Sequence, residues 1–210
     1  MTLRSTVAIG FLLAMLAQAE HLDRIAVTVG KQVITESALL LDLRVTSFMN
    51  QTPLDFGPAA RRAEAGRLVD LALIQKEADD SHLVLDEDQS PALLASLKAR
   101  YRSDAEYQAD LARYGISEKD LMDHLEAGAR LEAFSDLRFR PATQISEEDL
   151  RAYYDRLAGT RASAPPPSFE ASRAGLENLL RGQRALEDLD KWLEEQRKAV
   201  RIAYREQVFQ

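Results

Sequence analysis

The sequence predicts a mainly α-helical protein that carries one small β-sheet. Ile25, Val27 and Val29 alternate with smaller or polar residues, and Gly30-Lys31 can turn, so residues 24–35 form a predicted β-hairpin. Most of the remaining chain repeats apolar residues at spacings of three and four, which is typical of helices. Residues 200–204 alternate again. Because a single strand is unstable alone, we expect this last strand to pair with the hairpin and bring the two ends of the chain together.

The helical part divides into seven predicted helices. Ala38, Leu41, Val45 and Phe48 form the apolar stripe of the first one. Pro91 falls in the first turn of the third helix, where the missing amide hydrogen has no partner to lose. The predicted helices cover residues 35–50, 59–81, 90–102, 104–114, 118–139, 147–157 and 169–198.

Several helix boundaries carry explicit signals. Gly115 follows an apolar stripe at the point where a helix commonly ends with a left-handed residue. Three helix starts place a hydroxyl residue three positions before a carboxylate, a pairing that satisfies free amide groups in the first turn. These pairs are Ser103 with Glu106, Ser117 with Asp120, and Ser146 with Asp149.

The first 19 residues are typical of a cleaved signal peptide. Arg4 precedes an apolar run of about 11 residues, Val7 to Ala17, and Ala17-Gln18-Ala19 offers the small residues that signal peptidase recognises. A helix that crosses a bilayer needs about 20 apolar residues, so the pattern favours export over a permanent anchor. We therefore expect a periplasmic or otherwise extracytoplasmic protein without stable membrane insertion after cleavage.

The rest of the chain, residues 20–210, reads as one domain. Within it, residues 158–168 resemble a linker, because three consecutive prolines, Pro165 to Pro167, cannot join a helix and favour an extended spacer.

Composition narrows the possible partners of this domain. It has no cysteine, so disulfides, thiolate nucleophiles and zinc–thiolate sites are excluded. With 27 basic and 34 acidic side chains, the chain would be repelled by nucleic acid and by anionic membranes.

No residue pattern predicts catalysis. The histidines His21, His82 and His124 show no metal-binding spacing, and no serine lies in a nucleophile elbow. Asp120 and His124 share a helix face, and a solvated ion pair is favoured over a weak metal site. The sequence therefore predicts no catalytic residue, no cofactor and no metal.

Four segments together resemble one family. Residues 22–37 read LDRIAVTVGKQVITES, residues 67–78 read RLVDLALIQKEA, residues 145–154 read ISEEDLRAYY, and residues 189–204 end in a helix and strand. In this order, directly after a signal peptide, they resemble the extracytoplasmic chaperones of the SurA and PrsA group, and the first segment is similar to the opening of the SurA N-terminal domain. The resemblance implies a multi-helix chaperone body that binds unfolded exported proteins, including outer-membrane proteins.

One departure from the family bears on activity. Family members usually insert a parvulin-type prolyl isomerase domain before the closing helix, whereas only residues 155–168 occupy that position here. So short a segment cannot bury a core of its own. We therefore expect an ATP-independent holding chaperone that is not an enzyme. A scaffolding protein of the cell envelope, and a residual isomerase, remain as alternatives.

The predicted client contacts lie at the end of the first helix and in the loop that follows. Phe48, Met49 and Phe56 cluster there, and methionine adapts to varied partners. The competing interpretation is that these side chains complete the core. The sequence leaves the oligomeric state and the identity of the clients open.

Overall fold

The computed structural model describes residues 23–81, 83–160 and 167–210, and the predicted signal peptide lies outside them. Two short strands, β1 (Ile25–Val29) and β2 (Gln32–Thr35), form the hairpin around Gly30, which has a positive φ of 59°. The third strand, β3 (Ile202–Tyr204), pairs antiparallel with β1, and the strand order is β2-β1-β3. The predicted pairing of the two ends of the chain is confirmed, because Val27 lies opposite Tyr204.

Seven α-helices make up most of the described chain, so the predicted fold class is confirmed. Thr35 caps the first helix by accepting the amide of Ala38, and Ser168 caps the last by accepting the amide of Ala171. The helices are α1 (Glu36–Asn50), α2 (Pro58–Asp80), α3 (Gln89–Lys98), α4 (Asp104–Tyr114), α5 (Glu118–Arg138), α6 (Glu147–Thr160) and α7 (Phe169–Ala199), with short 3₁₀ helices at Arg140–Ala142 and Glu206–Phe209.

Two helix ends differ most from the prediction. α3 ends at Lys98, because the chain turns there and the hydroxyl of Tyr101 donates a hydrogen bond to Asp110 in α4. α6 continues to Thr160 and so enters the predicted linker. No proline interrupts the helix there, because the first one, Pro165, lies five residues further on. Residues 161–166 of that linker lie outside the described chain. The 3₁₀ helix Glu206–Phe209 was not predicted.

Apolar side chains gather in three clusters. The sheet core joins both ends of the chain to α2, α5 and α7, through residues such as Val27, Val69, Phe134, Leu193 and Phe209. The lobe core lies among α1, α3, α4 and α5 and includes Val45, Phe48, Leu97, Tyr107, Leu111, Tyr114, Leu121 and Leu125. The arm core joins α6 to the first half of α7 through Leu150, Tyr153, Leu176 and Leu180.

The long helix α7 connects two of these clusters. Its 31 residues extend about 46 Å at 1.5 Å per residue. Leu176 and Leu180 belong to the arm core, whereas Leu189 and Leu193 belong to the sheet core. Within the described chain, no helix is both long and apolar enough to cross a bilayer.

Candidate functional site

The chain reverses direction where α1 ends, and this reversal shapes the candidate site. Gln51 adopts a left-handed conformation, with φ 52° and ψ 40°, which is uncommon for a residue other than glycine or asparagine. Its backbone amide donates to the carbonyl of Phe48 over 3.2 Å, and its side-chain Nε2 donates to the same carbonyl over 2.8 Å. Both bonds hold Gln51 in this conformation at the surface of the lobe core.

Three adjoining hollows open around Gln51, and we call them together the Gln51 cleft. Their volumes are about 260, 410 and 480 Å³. Gln51 lines all three hollows. The apolar part of the cleft comes from α1, α3, α4 and the loop after α1, namely Phe48, Met49, Pro53, Leu54, Leu97, Tyr101, Ala109 and Tyr114, and the charged rim comes from Arg100, Glu106, Asp110 and Arg113.

The polar groups of the cleft are held in place by one another. The Tyr101 hydroxyl donates to Oδ2 of Asp110 over 2.7 Å, and Nε2 of Gln51 lies 3.4 Å from each of these oxygens. The Tyr114 hydroxyl donates to the backbone carbonyl of Thr52 over 3.0 Å. Burial, together with the neighbouring Asp110 carboxylate, raises the pKa of Tyr101 to about 12. The phenol therefore keeps its proton at neutral pH and acts as a fixed hydrogen-bond donor.

Neighbouring groups hold the charged side chains on the α4 side of the rim. Arg113 forms an ion pair with Asp110 at 2.5 Å and lies over the ring of Tyr114. Glu106 accepts the backbone amide of Arg102 over 3.0 Å. These contacts fix the rim on the α4 side, so the cleft combines a preformed polar edge with an apolar floor.

The three residues predicted to contact clients occupy different places. Phe48 is only 1% exposed, because the helical period turns it inward beside Val45, and its ring packs against those of Tyr101, Tyr107 and Tyr114. Its burial favours the competing interpretation as a core residue, although its edge forms part of the cleft floor. Met49 is half-buried and lines the same hollow.

Phe56 lies apart from the cleft lining. It is half-buried, and the guanidinium of Arg44 covers its ring at 5.6 Å. The structure therefore brings together Phe48 and Met49 but not Phe56. Gln51, Leu54 and Arg113 were not predicted, because only the loop prolines and the end of an apolar stripe marked this region in the sequence.

His124 makes a different contact from the predicted one. Its Nδ1 lies 2.9 Å from Oδ1 of Asp42 in α1, and the predicted pairing with Asp120 is wrong. Asp120 instead accepts the backbone amide and the hydroxyl of Ser117 at the start of α5, so the helix cap occupies its carboxylate. His21 and His82 lie outside the described residues, within which no cluster of three metal-ligating side chains occurs.

Comparisons with known proteins neither support nor contradict the resemblance to the SurA group. No protein-family model matches this chain, and no curated protein matches it. A functional interpretation therefore depends on the residues of the cleft and on the sequence motifs.

Proposed function

We propose that this protein is an ATP-independent holding chaperone of the cell envelope that binds unfolded exported polypeptides, including those of the outer membrane. The observation that carries the proposal is the open Gln51 cleft, in which apolar side chains such as Met49 and Leu54 lie beside fixed polar groups. The signal-peptide pattern of residues 1–19 and the four motifs that resemble SurA support the same function.

The cleft suits an extended segment better than a folded surface. An extended chain presents apolar side chains and unpaired backbone groups together. The cleft offers apolar surface next to the side-chain amide of Gln51 and the carboxylate of Asp110. Burying about 400 Å² of apolar surface would contribute on the order of 10 kcal/mol before the cost of ordering the client. After that cost, binding is weak and reversible, as a holding chaperone requires.

Suppression of aggregation tests the proposal directly. A denatured outer-membrane β-barrel protein is diluted into buffer with and without a several-fold excess of this protein, and light scattering is followed. We expect the scattering to fall in its presence. Unchanged scattering at that excess would contradict the chaperone function.

A matched pair of variants tests whether the cleft is the binding surface. Leu54 is 40% exposed and lines the cleft, whereas Val84 is 87% exposed and lies outside its lining. We expect Leu54→Ser to need a higher concentration to suppress scattering and Val84→Ser to behave like the parent protein. Equal effects of the two substitutions would show that clients bind outside the cleft.

Two further measurements separate the chaperone from the alternatives. A scaffolding protein of the envelope would copurify with one partner and would protect none of several unrelated unfolded proteins. A prolyl isomerase would accelerate the refolding of a protein whose folding is limited by proline isomerisation. We expect protection of several clients and no acceleration of that refolding.

A further inference from the structure

The side chain of Gln51 connects the hollows of the Gln51 cleft. The hollow lined by Met49 and the hollow lined by Leu54 share Gln51 as a lining residue. The third hollow shares Tyr101 with the first of these and Arg113 with the second. A client segment that fills both apolar hollows therefore passes over Gln51.

The neighbours of the Gln51 side-chain amide fix its orientation. Three oxygens surround one end of it, namely the carbonyl of Phe48 at 2.8 Å and the Tyr101 hydroxyl and Asp110 Oδ2 at 3.4 Å each. A carbonyl and a carboxylate have no hydrogen to donate, and the Tyr101 hydroxyl already donates its hydrogen to Asp110 over 2.7 Å. This end is therefore the NH₂ group. Oε1, on the other side of the same planar amide, points away from these three groups.

Oε1 is an acceptor with free capacity in the cleft. Gln51 is exposed, and among the residues that the structure describes none donates a hydrogen bond to Oε1. The carboxylate of Asp110, in contrast, is engaged by Arg113 at 2.5 Å and by Tyr101. Glu106 accepts the amide of Arg102 through Oε2, and it lines two of the three hollows, whereas Gln51 lines all three.

The backbone of Gln51 is a second and independent observation. In the described chain, Gln51 is the one residue other than glycine with a positive φ, at 52°. Glycine is the usual residue at such a helix end, and α4 in the same lobe does end with Gly115. A side chain in this disfavoured conformation, at a cleft, points to a function of that side chain.

We infer that Oε1 of Gln51 accepts a main-chain N–H of the bound client, so that the cleft recognises the extended backbone as well as apolar side chains. The inference rests on the proposed chaperone function and names the client group that this site binds. The rim carries two arginines and two carboxylates, Arg100, Arg113, Glu106 and Asp110, so its formal charges cancel. A rim without net charge suits a neutral donor.

A main-chain donor also gives the cleft a way to distinguish unfolded from folded polypeptides. An unfolded segment carries unpaired peptide N–H groups whatever its sequence, whereas a folded protein uses these groups in its own helices and sheets. Folding of the client would therefore remove the donor that Gln51 binds, and release would need no nucleotide.

An ester scan of a client peptide tests this hydrogen bond. The probe is a short fluorescein-labelled peptide with blocked ends, taken from one strand of the outer-membrane β-barrel protein used in the scattering assay. In each member of the series, an ester oxygen replaces one peptide N–H, which removes a single main-chain donor and keeps every side chain. Fluorescence anisotropy with the full chain gives each Kd. We expect one ester position to weaken binding about fivefold.

Gln51→Gly is the informative variant, because glycine keeps the left-handed turn and removes Oε1. It should bind the all-amide peptide about fivefold more weakly than the parent protein does, and no ester position should weaken binding further. Gln108→Ala, at an exposed position of α4 outside the cleft lining, should keep the ester pattern of the parent protein. An ester effect that persists in Gln51→Gly would place the acceptor on another group, such as Glu106, and would overturn the inference.

The failure of this inference is distinguishable from the failure of the chaperone function. If scattering is suppressed but no ester position weakens peptide binding, the main-chain contact is refuted and the chaperone function stands. If the peptide does not bind and scattering is unchanged, both are refuted.

A measurement on the parent protein alone covers the case in which Gln51→Gly does not fold. In ¹⁵N-labelled protein, the side-chain NH₂ resonances of Gln51 should shift when the all-amide peptide binds and shift less with the ester peptide that binds more weakly. Those of Gln108 should not move with either peptide. Equal shifts of the Gln51 resonances with the two peptides at saturation would overturn the inference.

Discussion

The sheet core and the arm core are held together by opposite kinds of contact. In the sheet core, Val27 near one end of the chain lies opposite Tyr204 near the other, and α2, α5 and α7 cover the sheet. In the arm core, the buried residues of the described chain come from α6 and the first half of α7, and these helices are consecutive. The first cluster needs segments from both ends and the middle of the chain, whereas the second needs one helical hairpin.

This difference predicts how the two clusters respond to damage. Ala26, Val27, Leu39, Ala65 and Val69 in the sheet core are all 0% exposed, so a cavity there removes contacts between segments that only the folded chain brings together. Among the residues that the structure describes, the arm core has four buried members, and a helix pair with so little buried surface can open by itself. Contacts between distant segments should therefore cost the most when they are removed, and wholly local contacts the least.

The largest effect is expected for Phe134→Ala in the sheet core. Phe134 is 1% exposed, and its ring lies 5.1 Å from that of Trp192 and 6.1 Å from that of Phe139. Removing it should lower the free energy of unfolding by about 3–5 kcal/mol. Urea unfolding measures this as a lower midpoint with an unchanged slope.

Leu137→Ala is the matched control, because Leu137 lies one turn later in α5 and is 57% exposed. It should change the free energy of unfolding by less than about 0.5 kcal/mol. Similar losses for the two variants would mean that the end of α5 does not anchor the sheet core.

A smaller and more local effect is expected for Leu180→Ala in the arm core. Leu180 packs with Leu150 and Tyr153 of α6, so the cavity should cost about 2–3 kcal/mol. Because the arm can open alone, hydrogen exchange should accelerate in α6 while the amides of β1 keep their protection.

Leu179→Ala, at the exposed neighbouring position, should leave exchange in α6 unchanged. Acceleration in β1 to the same degree as in α6 would show that the arm and the sheet unfold as one unit. The two clusters would then not differ in how they unfold.

The same distinction explains what the sequence could predict. The full capping box at Ser117, the left-handed Gly115 and the helix from Asp104 to Tyr114 involve residues close together in the chain, and all three agree with the prediction. The pairing of β1 with β3 is long-range but was also predicted, because neither the hairpin nor the last strand had another partner to complete a sheet.

The features that were missed depend on contacts between distant residues without a local signal. His124 contacts Asp42, which lies 82 positions earlier, and no spacing rule relates the two. Tyr101 was predicted to lie in the third helix, but it lies beyond the end of α3 and its hydroxyl donates to Asp110 in α4. The Gln51 cleft likewise needs α1, α3 and α4 in place, so from the sequence only its position at the end of α1 could be predicted.

Gly115→Ala should lower the free energy of unfolding moderately, because this turn contacts the side chain of Arg44, which is distant in the sequence. Gly115 has a φ of 67°, and an added Cβ would lie 2.8 Å from Nη1 of Arg44. The backbone strain and the displacement of Arg44 from the Gly115 carbonyl should together cost about 1–2 kcal/mol.

Gly128→Ala is the matched control, since Gly128 lies within α5 and an added Cβ meets nothing within 4 Å. There the substitution should raise the free energy of unfolding by about 0.5–1 kcal/mol, because alanine favours the helix. Thermal unfolding should move in opposite directions for the two variants. A stabilising effect at Gly115 would contradict the strained turn.

The smallest loss is expected for Ser117→Ala, which removes a contact made within four residues. The Ser117 hydroxyl accepts the amide of Asp120 over 3.2 Å, and the Asp120 carboxylate in turn accepts the amide of Ser117 over 2.8 Å. Losing this cap should cost about 1 kcal/mol at neutral pH. Ser103→Ala should cost less, because the Glu106 carboxylate accepts the amide of Arg102 and leaves the reciprocal bond of that cap unmade.

The pH dependence of the Ser117→Ala variant distinguishes the cap from a general packing defect. Hydrogen bonds from Ser117 lower the pKa of Asp120 below 3.8 in the folded protein. The stability from this carboxylate is therefore present above pH 3.8 and is lost as the pH falls through its lower folded value. The cost of Ser117→Ala, measured by urea unfolding, should shrink as the pH is lowered from 6 to 3. A cost that stays constant over this range would show that the lost contact does not involve the ionised carboxylate.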